Sequence, residues 1–502
     1  ALQKSQDRLT KSIARLSSGY KINSSSDDAA GYAISEKMRL QLRGLNQADN
    51  NAADGVSVLH TAEGAMEEIQ SMLARMKELS VQAANGTNSV DERSAIQSEI
   101  DSLNSEIDRI SSNTEFNSQT LISGNLSRRV YSNYEGVNQI EVSDNFVAGN
   151  YGITITQDAR QAIVVGNGAV TMSDTATVTK EQAGTISMNG YGIEISEGDT
   201  LAGIMGKLVD GADKIGGRVF AITAGATNDT KVNGTDYAGY EPQTSYAGNN
   251  IVFMTKESGS SKTMNITCSN AELANMLGIA TAATNSGMYA EGSDVQAEFT
   301  LDNDGKRVGF ADSAVISTSG TRVTVKDVNN RTFVTDVPSN VAGTQFSDTA
   351  KADDKSTATS TQTAKVTQEV TDVGTMSVHV GANENQVILI DIPAVTSYTL
   401  GTENLNVMTS VTASEAIDTI DTAVAYANRV RSQMGAYENR FEHTTNNLGT
   451  ASENLTSAIS TMTDTDMAEE MTEYTSLNVM TQAATSILAQ ANERPSTVLQ
   501  IL

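Results

Sequence analysis

Residues 45–83 read LNQADNNAADGVSVLHTAEGAMEEIQSMLARMKELSVQA, and this stretch decides the fold. Apolar side chains recur in it at intervals of three or four residues, which is the period of one face of an α-helix. A narrow stripe sustained for this length is typical of a long helix that packs along other helices. At about 1.5 Å per residue the helix would be roughly 60 Å long, so the sequence predicts an elongated protein. The stripe comprises Leu45, Ala48, Ala52, Val56, Leu59, Ala62, Met66, Ile69, Leu73, Met76, Leu79 and Ala83.

Further helical stripes lie on both sides of the chain's middle. Asn85-Gly86-Thr87-Asn88 breaks the first helix, and the stripe that resumes from Ile96 to Ile110 predicts an antiparallel helical pair. Near the other end, Thr412 and Glu415 have the spacing of a capping box, and a stripe follows from Ile417 to Met462. A last helix is predicted to start at the Asp464-Thr465-Asp466 cap and to end before Pro495.

The middle of the chain, from about residue 127 to 400, has the pattern of strands. Segments 151–156 and 321–325 alternate apolar and polar residues with period two. Asn189-Gly190 predicts a hairpin turn, and Asn303-Asp304-Gly305 a second one. Short helices are predicted at 201–208 and 271–277, and an exposed loop or linker at 347–368. The predicted fold class is therefore α+β, with a helical coiled-coil stem built from both termini and one or two β-rich domains inserted in the middle.

Composition excludes several classes of protein. The chain has 502 residues, 34 basic and 61 acidic, and its net charge of -27 disfavours binding to nucleic acid or to an anionic membrane. The single cysteine, Cys268, excludes an intrachain disulfide, and no Cys/His cluster has the spacing of a zinc site. The sequence contains no run of about 18 apolar residues, so no membrane-spanning helix is predicted. Residues 1–15 lack the apolar core of a secretory signal, so any export would use a route without a cleaved signal.

The two chain ends carry opposite charge. Residues 1–45 contain eight basic and four acidic residues, whereas residues 464–502 contain six acidic residues and Arg494 alone as a base. Opposite signs favour pairing of the two ends, within one subunit or between neighbouring subunits. The alternative is two independently solvated surfaces, since exposed charges often contribute little.

Many short motifs in both terminal regions resemble those of bacterial flagellin, and the resemblance covers about half of the chain. It includes a hairpin-like segment at 380–384, while the middle corresponds only to the variable insert of such a protein. The motifs include Arg15-Leu16-Ser17-Ser18-Gly19, Asp27-Asp28-Ala29-Ala30-Gly31, Thr61-Ala62-Glu63-Gly64-Ala65, Gln82-Ala83-Ala84-Asn85-Gly86-Thr87, Asn439-Arg440-Phe441, Asp464-Thr465-Asp466-Met467-Ala468 and Ala489-Gln490-Ala491-Asn492.

The resemblance implies a structural subunit that polymerises into the extracellular flagellar filament used for swimming. It implies terminal helices at 1–40 and 464–502 that line the tube, a long-helix domain with a hairpin at 41–126 and 373–463, and a variable exposed β-rich insert at 127–372. A contact that does not close on itself grows an open helical filament, which agrees with this role. The implied polymerisation residues are Asp27, Asp28, Gly31, Asp464, Asp466, Leu488 and Leu499.

For the polymerisation residues near the start of the chain, the sequence also suggests a local role. Residues 24–28 offer caps for an incoming helix, and Gly31 allows close approach. A simple helix start without any role between subunits is the alternative for each of them.

The resemblance also implies partners. These are other copies of the chain, the flagellar cap and hook-associated proteins, the type III export apparatus, an export chaperone at the C-terminal helix, and Toll-like receptor 5. In the family the receptor contacts an Arg and a Leu on the first long helix and a Glu on the next helix, and the matching residues here are Arg75, Leu79 and Glu99. Alternatively, Leu79 is a core residue of the stripe and the two charged residues are solvated.

Catalysis is not expected. The three histidines are far apart in the sequence, and neither HExxH, GxSxG nor a phosphate-binding loop occurs. No cofactor and no metal are expected. Two other functions remain open: a hook-filament junction protein, which shares the terminal helices but does not propagate, and a filament whose insert acts as an adhesin.

Overall fold

The long helices follow the apolar periodicity of the two chain ends. The computed structural model describes residues 2–143, 146–223, 246–279, 288–327, 331–339, 341–342, 345–346, 358–360 and 363–501, and of residues 223, 345–346, 358–360 and 495–501 it describes only the backbone. The described helices are α1 (Leu2–Ser18), α2 (Ala29–Ala84), α3 (Val90–Asn113), α4 (Leu201–Lys214), α5 (Ala271–Met276), α6 (Ser397–Leu400), α7 (Ser410–Thr463) and α8 (Met467–Ile501).

The strands lie mainly in the middle of the chain and form antiparallel sheets. The strands before α4 are β1 (Glu115–Phe116), β2 (Gln119–Thr120), β3 (Val130–Ser132), β4 (Asn138–Val142), β5 (Gly149–Gln157), β6 (Gln161–Val165), β7 (Gly184–Met188) and β8 (Tyr191–Ile195). Those from α4 to α6 are β9 (Gly217–Thr223), β10 (Asn249–Ser258), β11 (Thr263–Cys268), β12 (Met288–Glu291), β13 (Gln296–Phe299), β14 (Val315–Ser319), β15 (Arg322–Lys326), β16 (Thr332–Asp336), β17 (Gln345–Phe346), β18 (Ala358–Ser360), β19 (Ala364–Val370), β20 (Met376–His379) and β21 (Val387–Ile390).

The chain folds into two units, each assembled from separate segments. Unit 1 comprises residues 1–59, 377–389 and 436–502, and unit 2 comprises residues 60–376 and 390–435. The predicted fold class, α+β with helical ends and a β-rich middle, is confirmed.

In unit 2 the predicted apolar stripe is the helical core. Met66, Ile69, Leu73 and Met76 on α2 are fully buried. The pairing of α2 with α3 is antiparallel, as predicted, because residues later in α3 contact residues earlier in α2. Arg93 Nε donates to the Ala83 carbonyl at 2.9 Å, and Arg75 lies against Glu99.

The described β-rich part of unit 2 contains two large β cores and a smaller apolar cluster around Phe220, Val252 and Met254 on the sheet β6-β10-β9. One large core is built on the sheets β13-β5-β19-β3 and β14-β15-β16-β4, and the aromatic rings of Phe146, Tyr151, Phe310 and Phe333 meet at its centre. The other large core is built on the sheets β12-β11-β7-β8 and β6-β10-β9, with α4 packed onto it through Ile204, Met205 and Leu208. The division of the insert into one or two β-rich domains stays a prediction.

In unit 1, α2 and α7 pack closely and the β20-β21 hairpin lies on α2. A Cβ added at Gly55 would come within 2.9 Å of Cζ of the buried Phe441 ring, so any larger residue at this contact would require the ring to shift. Asn51 Nδ2 donates to the His379 carbonyl at 2.9 Å, which fixes the hairpin to the helix. The predicted hairpin at 380–384 is confirmed by the pairing of β20 with β21.

The other local predictions are also confirmed. β7 and β8 pair through a turn in which Asn189 and Gly190 have φ of 48° and 87°, as a two-residue hairpin requires. The second predicted turn is closed by the Leu301–Arg307 bridge. The short helices occur as α4 and α5.

Three predictions are wrong in detail. The cap of α7 is not Thr412 with Glu415 but Thr409 with Thr412, since the Thr409 hydroxyl accepts from Thr412 N at 3.2 Å and Thr412 Oγ1 accepts from Thr409 N at 3.1 Å. Glu415 instead lies 3.9 Å from Lys262. Burial raises the pKa of Glu415.

The predicted loop at 347–368 contains strand β18 at 358–360 and a further strand at its end. β19 begins at Ala364 and pairs with β5 and β3, and its buried positions alternate with exposed ones. The predicted segment 347–357 lies outside the described residues. Finally, α8 does not stop before Pro495 but continues to Ile501, because a proline removes one backbone hydrogen bond at a cost of about 3 kcal/mol and is not an absolute stop.

Candidate functional site

Two turns near the chain ends pair with each other in unit 1. Gly19, with φ of 77°, ends α1, and its carbonyl accepts from Thr465 N at 3.0 Å. Lys21 N donates to the Thr463 carbonyl at 2.7 Å, and Lys21 Nζ donates to the Thr461 carbonyl at 3.0 Å. These bonds hold the end of α1 beside the start of α8.

Ion pairs continue this contact along α1 and α8. Arg8 Nη2 lies 2.7 Å from Glu473 Oε1, and Arg15 Nη1 lies 3.7 Å from Glu470 Oε2. Glu470 is 7% exposed, and a carboxylate at this depth requires a cationic partner. The prediction that the oppositely charged ends pair is confirmed within one chain.

Asp27, Asp28 and Gly31 form a compact turn that starts α2. Asp28 Oδ1 accepts from Ala30 N and Gly31 N, both at 3.0 Å, so the predicted cap is confirmed at Asp28. A Cβ on Gly31 would lie 2.5 Å from Asp28 Oδ2 and 2.8 Å from Ile22 Cδ1, which confirms the predicted close approach.

Asp27 organises the residues just before this cap. Its Oδ2 accepts from Asn23 N and Ser24 N at 3.2 Å, and Lys11 Nζ lies 3.9 Å from its Oδ1. Burial acts to raise the pKa of the Asp27 carboxyl, but the hydrogen bonds from Asn23 and Ser24, together with Lys11, outweigh it and lower the pKa. The carboxylate therefore stabilises the turn in its ionised form.

The acidic residues at 464 and 466 begin the last helix. Asp466 Oδ1 accepts from Ala468 N at 2.8 Å and from Glu469 N at 3.2 Å, which caps α8, while Asp464 accepts from the hydroxyls of Ser460 and Thr463. Leu488 lies farther along α8 with 52% of its side chain exposed. Leu499 lies in the last turn of α8, but its side chain is outside the described residues.

The candidate receptor residues lie on the paired helices of unit 2. Arg75 donates from Nη2 and Nε to Glu99 Oε1 at 2.8 and 3.0 Å, and from Nη1 to Glu78 Oε2 at 3.3 Å. These hydrogen bonds, that to Glu99 first, raise the pKa of the Arg75 guanidinium. Arg75 and Glu99 are each about half exposed, at 49% and 45%, so the pair is open to a partner.

Leu79 does not share this surface. It is 2% exposed and belongs to the core of α2, so its side chain presents nothing to a partner in this conformation. The structure therefore brings Arg75 and Glu99 together and leaves Leu79 buried.

The sequence of both terminal regions matches a known family. Residues 1–127 match the bacterial flagellin N-terminal helical region, and residues 417–502 match the bacterial flagellin C-terminal helical region. A flagellin of Clostridium tyrobutyricum is 31% identical, over 97% of this chain and 93% of its own length. This chain belongs to the bacterial flagellin family.

Another relative agrees with this assignment along the full chain. A flagellin of Salmonella typhimurium is 30% identical, over 100% of this chain and 96% of its own. A solved structure of FliC from Burkholderia pseudomallei has 14% identity and a TM-score of 0.23 over 77% of this chain and 99% of that chain. This TM-score is too low for the placement of domains to be compared. Flagellins are structural proteins of the flagellar filament that polymerise with copies of themselves, and they are not enzymes.

The single cysteine of this flagellin is a free, partly buried thiol. Burial raises the pKa of the Cys268 thiol, which is the opposite of what a nucleophile needs. Among the described residues, none of the helices is apolar over a length sufficient to cross a bilayer.

Several residues of the paired turns are not predicted by the sequence patterns. Lys21 and Thr463 were not candidates, because their contact joins main-chain groups and leaves no side-chain signature. Gly19 could have been found, since a glycine directly after a helical segment is the usual left-handed terminator.

Proposed function

We propose that this flagellin polymerises through its helical ends into the filament that drives swimming. One observation carries the proposal: α8 is paired with α1 along one side, yet it exposes large apolar side chains elsewhere. Val479, Ile487 and Leu488 are 60%, 66% and 52% exposed. Exposed apolar surface of this kind marks an interaction site. We propose that other copies of the chain bind to it and bury these side chains.

The seven polymerisation residues divide into two proposed roles. Asp27, Asp28, Gly31, Asp464 and Asp466 set the turns from which α2 and α8 start, so they act on assembly by orienting those helices. Leu488 acts directly, by burying its exposed side chain against a neighbouring subunit, and the resemblance to flagellin assigns Leu499 to the same group.

We further propose a layered filament. Residues 1–40 and 464–502 would line the tube, residues 41–126 and 373–463 would form the next shell, and residues 127–372 would face solvent. The support is chemical: the exposed apolar residues of α8 suit a covered position, whereas the two β cores bury their own apolar side chains. Residue 40 lies inside the uninterrupted α2, so this first boundary divides one helix.

We propose that other partners also bind through the exposed apolar side chains of α8. An export chaperone that covers α8 would keep the subunit monomeric before assembly, and the cap and hook-associated proteins would receive it at the filament tip. Export through the type III apparatus would give the extracellular location.

Substitution on α8 tests the filament proposal. Leu488→Lys places a charge in the proposed subunit contact and should prevent elongation from filament seeds while leaving the helical circular dichroism unchanged. Val315→Lys, at a residue of β14 that is 64% exposed, is the matched control and should elongate normally. Normal elongation of Leu488→Lys would remove this residue from the subunit contact.

We propose, as a second function, that Toll-like receptor 5 binds unit 2 at the Arg75–Glu99 pair. The pair is exposed and prearranged by its own hydrogen bonds, and arginine is a common anchor of protein interfaces. The buried Leu79 would act by holding the helix that carries Arg75, and not by contact.

Receptor signalling by purified monomers tests this second proposal. Arg75→Ala should lower potency by about tenfold or more, as expected for an interface anchor. Arg109→Ala removes a similar exposed arginine, paired with Glu106 on α3, and should leave potency unchanged. Equal potency of both variants and the parent protein would contradict the proposed site.

A further inference from the structure

The Asn-Gly dipeptide at 85–86 has a chemistry that the filament function does not use. The chain contains four such dipeptides, at Asn85, Asn167, Asn189 and Asn233. In any Asn-Gly sequence the glycine nitrogen can attack the asparagine side-chain amide, because glycine has no side chain to shield it. Whether this occurs in a folded protein depends on how firmly the two groups are held.

The attacking and the leaving nitrogen of this reaction, Gly86 N and Asn85 Nδ2, lie in an exposed turn. Asn85 and Gly86 are exposed in the turn between α2 and α3. Within the described structure, neither the Gly86 N–H nor the Asn85 side-chain amide nitrogen donates a hydrogen bond. A Cβ added at Gly86 would meet no atom within 4 Å, so the space around its nitrogen is open.

One contact in this turn favours the attack. Thr87 N donates to Asn85 Oδ1 at 3.3 Å. A donor at this oxygen polarises the side-chain carbonyl and stabilises the negative charge that develops on Oδ1 when a nucleophile adds to Cγ. The turn therefore presents an activated carbonyl next to an unpaired nitrogen.

The Asn189-Gly190 turn has the same dipeptide in the opposite condition. Asn189 Nδ2 donates to the Thr263 carbonyl and Oδ1 accepts from Asn265 N, both at 2.7 Å. Because both the nitrogen and the oxygen of this amide are held, the side chain is fixed on the neighbouring strand and its rotation toward Gly190 is opposed, whereas at Asn85 only the oxygen accepts a hydrogen bond. At the third dipeptide, Gly168 N donates to the Gly278 carbonyl at 3.2 Å, and the fourth lies outside the described residues.

We propose that Asn85 is a site of spontaneous deamidation in the folded protein. Gly86 N bonds to Asn85 Cγ and loses its proton, the Cγ–Nδ2 bond breaks, and Nδ2 leaves as ammonia. Water then opens the resulting succinimide at either carbonyl, giving aspartate or isoaspartate. Water is the only co-reactant, and one uncharged amide becomes one carboxylate.

A neighbouring arginine suits the isoaspartate product. Arg93 Nη2 donates to the Asn85 main-chain carbonyl at 2.9 Å, and in isoaspartate this carbonyl group becomes the free carboxylate. A guanidinium already bonded at this position would pair with the new charge. Deamidation thus adds a negative charge to the turn between α2 and α3.

Peptide mapping of aged protein tests the proposal. The folded protein would be kept in mildly alkaline buffer, digested, and analysed by mass spectrometry, with isoaspartyl methyltransferase labelling to detect isoaspartate. Asn85 should deamidate about tenfold or more faster than Asn189, because at least two hydrogen bonds must break before Asn189 reacts. In urea the two rates should converge.

A variant separates local chemistry from other causes. Gly86→Ala fits the open space and should slow loss of the Asn85 amide strongly while leaving Asn189 unchanged. Equal rates at the two sites in folded protein would overturn the proposal, and so would a Gly86→Ala variant that deamidates as fast as the parent.

Discussion

Two glycines of α2 should respond in opposite directions to the same substitution. Gly55 and Gly64 both lie inside the helix, where glycine costs about 1 kcal/mol relative to alanine. At Gly64 an added Cβ would meet no atom within 4 Å. Gly64→Ala should therefore raise the free energy of unfolding by about 1 kcal/mol.

At Gly55 the same methyl group meets a buried ring. The added Cβ would lie 2.9 Å from Cζ, 3.0 Å from Cε1 and 3.4 Å from Cε2 of Phe441, whose side chain is fully buried. Overpacking of this kind costs about 1–3 kcal/mol, against about 1 kcal/mol gained in helix propensity. Gly55→Ala should therefore leave stability unchanged or lower it by up to about 2 kcal/mol, and it should be about 1–3 kcal/mol less stable than Gly64→Ala.

Thermal unfolding of dilute monomers, followed by helical circular dichroism, measures this difference. Phe441→Leu provides a further check, because a smaller side chain relieves the overlap. In the Gly55→Ala background, Phe441→Leu should cost less stability than it costs in the parent, which a double-mutant cycle detects. The close contact at Gly55 would be refuted if Gly55→Ala and Gly64→Ala stabilised the protein equally and if the effects of Gly55→Ala and Phe441→Leu were additive.

Other residues give further predictions. Asp28→Ala should destabilise the protein by about 1 kcal/mol in thermal unfolding whereas Asp28→Asn, an equally good cap, should not; equal losses would contradict the capping role. Charge exchange at Arg8 or Glu473 alone should lower the melting temperature and the double exchange should restore it, by no more than about 1 kcal/mol because both side chains are exposed; an additive double variant would exclude the pair. Because the pKa of Asp27 is lower in the folded protein than its ordinary value of 3.8, its carboxylate stabilises the fold above about that pH, and this stability is lost as the pH falls through the folded pKa. The deficit of Asp27→Asn should accordingly shrink in acid, and a deficit independent of pH would point to a different cause. Leu79→Ala should cost about 2–5 kcal/mol as a cavity in the core, and a loss below about 1 kcal/mol in urea unfolding would show that this site is not tightly packed.

The sequence determines the helices and hairpins where one periodic or turn signal dominates. The stripe on α2 is long enough to identify the helix and its buried face, and Asn189-Gly190 identifies its hairpin because both positions need positive φ. β19 could not be recognised in the same way. Its polar residues Lys365 and Thr367 resemble a loop, and its strand character depends on pairing with β5, which is distant in the sequence.

The candidate site was predictable to a similar extent. The opposite charges of the two ends indicated that they pair, but the partners of Arg8 and Arg15 depend on the offset of α1 against α8, which no local pattern specifies. Leu79 illustrates a conflict between two signals. Its place in the apolar stripe predicts burial and the receptor motif predicts contact, and packing decided the outcome in favour of burial.

Seeded polymerisation is the most direct test of the central claim that this flagellin propagates a filament through its helical ends. Purified full-length protein would be added to short filament fragments from the same source and examined by negative-stain electron microscopy. The account predicts long tubes of uniform width from the parent protein and none from Leu488→Lys. A verified full-length chain that stays monomeric on such seeds would contradict the account and favour a junction role, in which the helical ends bind a filament without extending it.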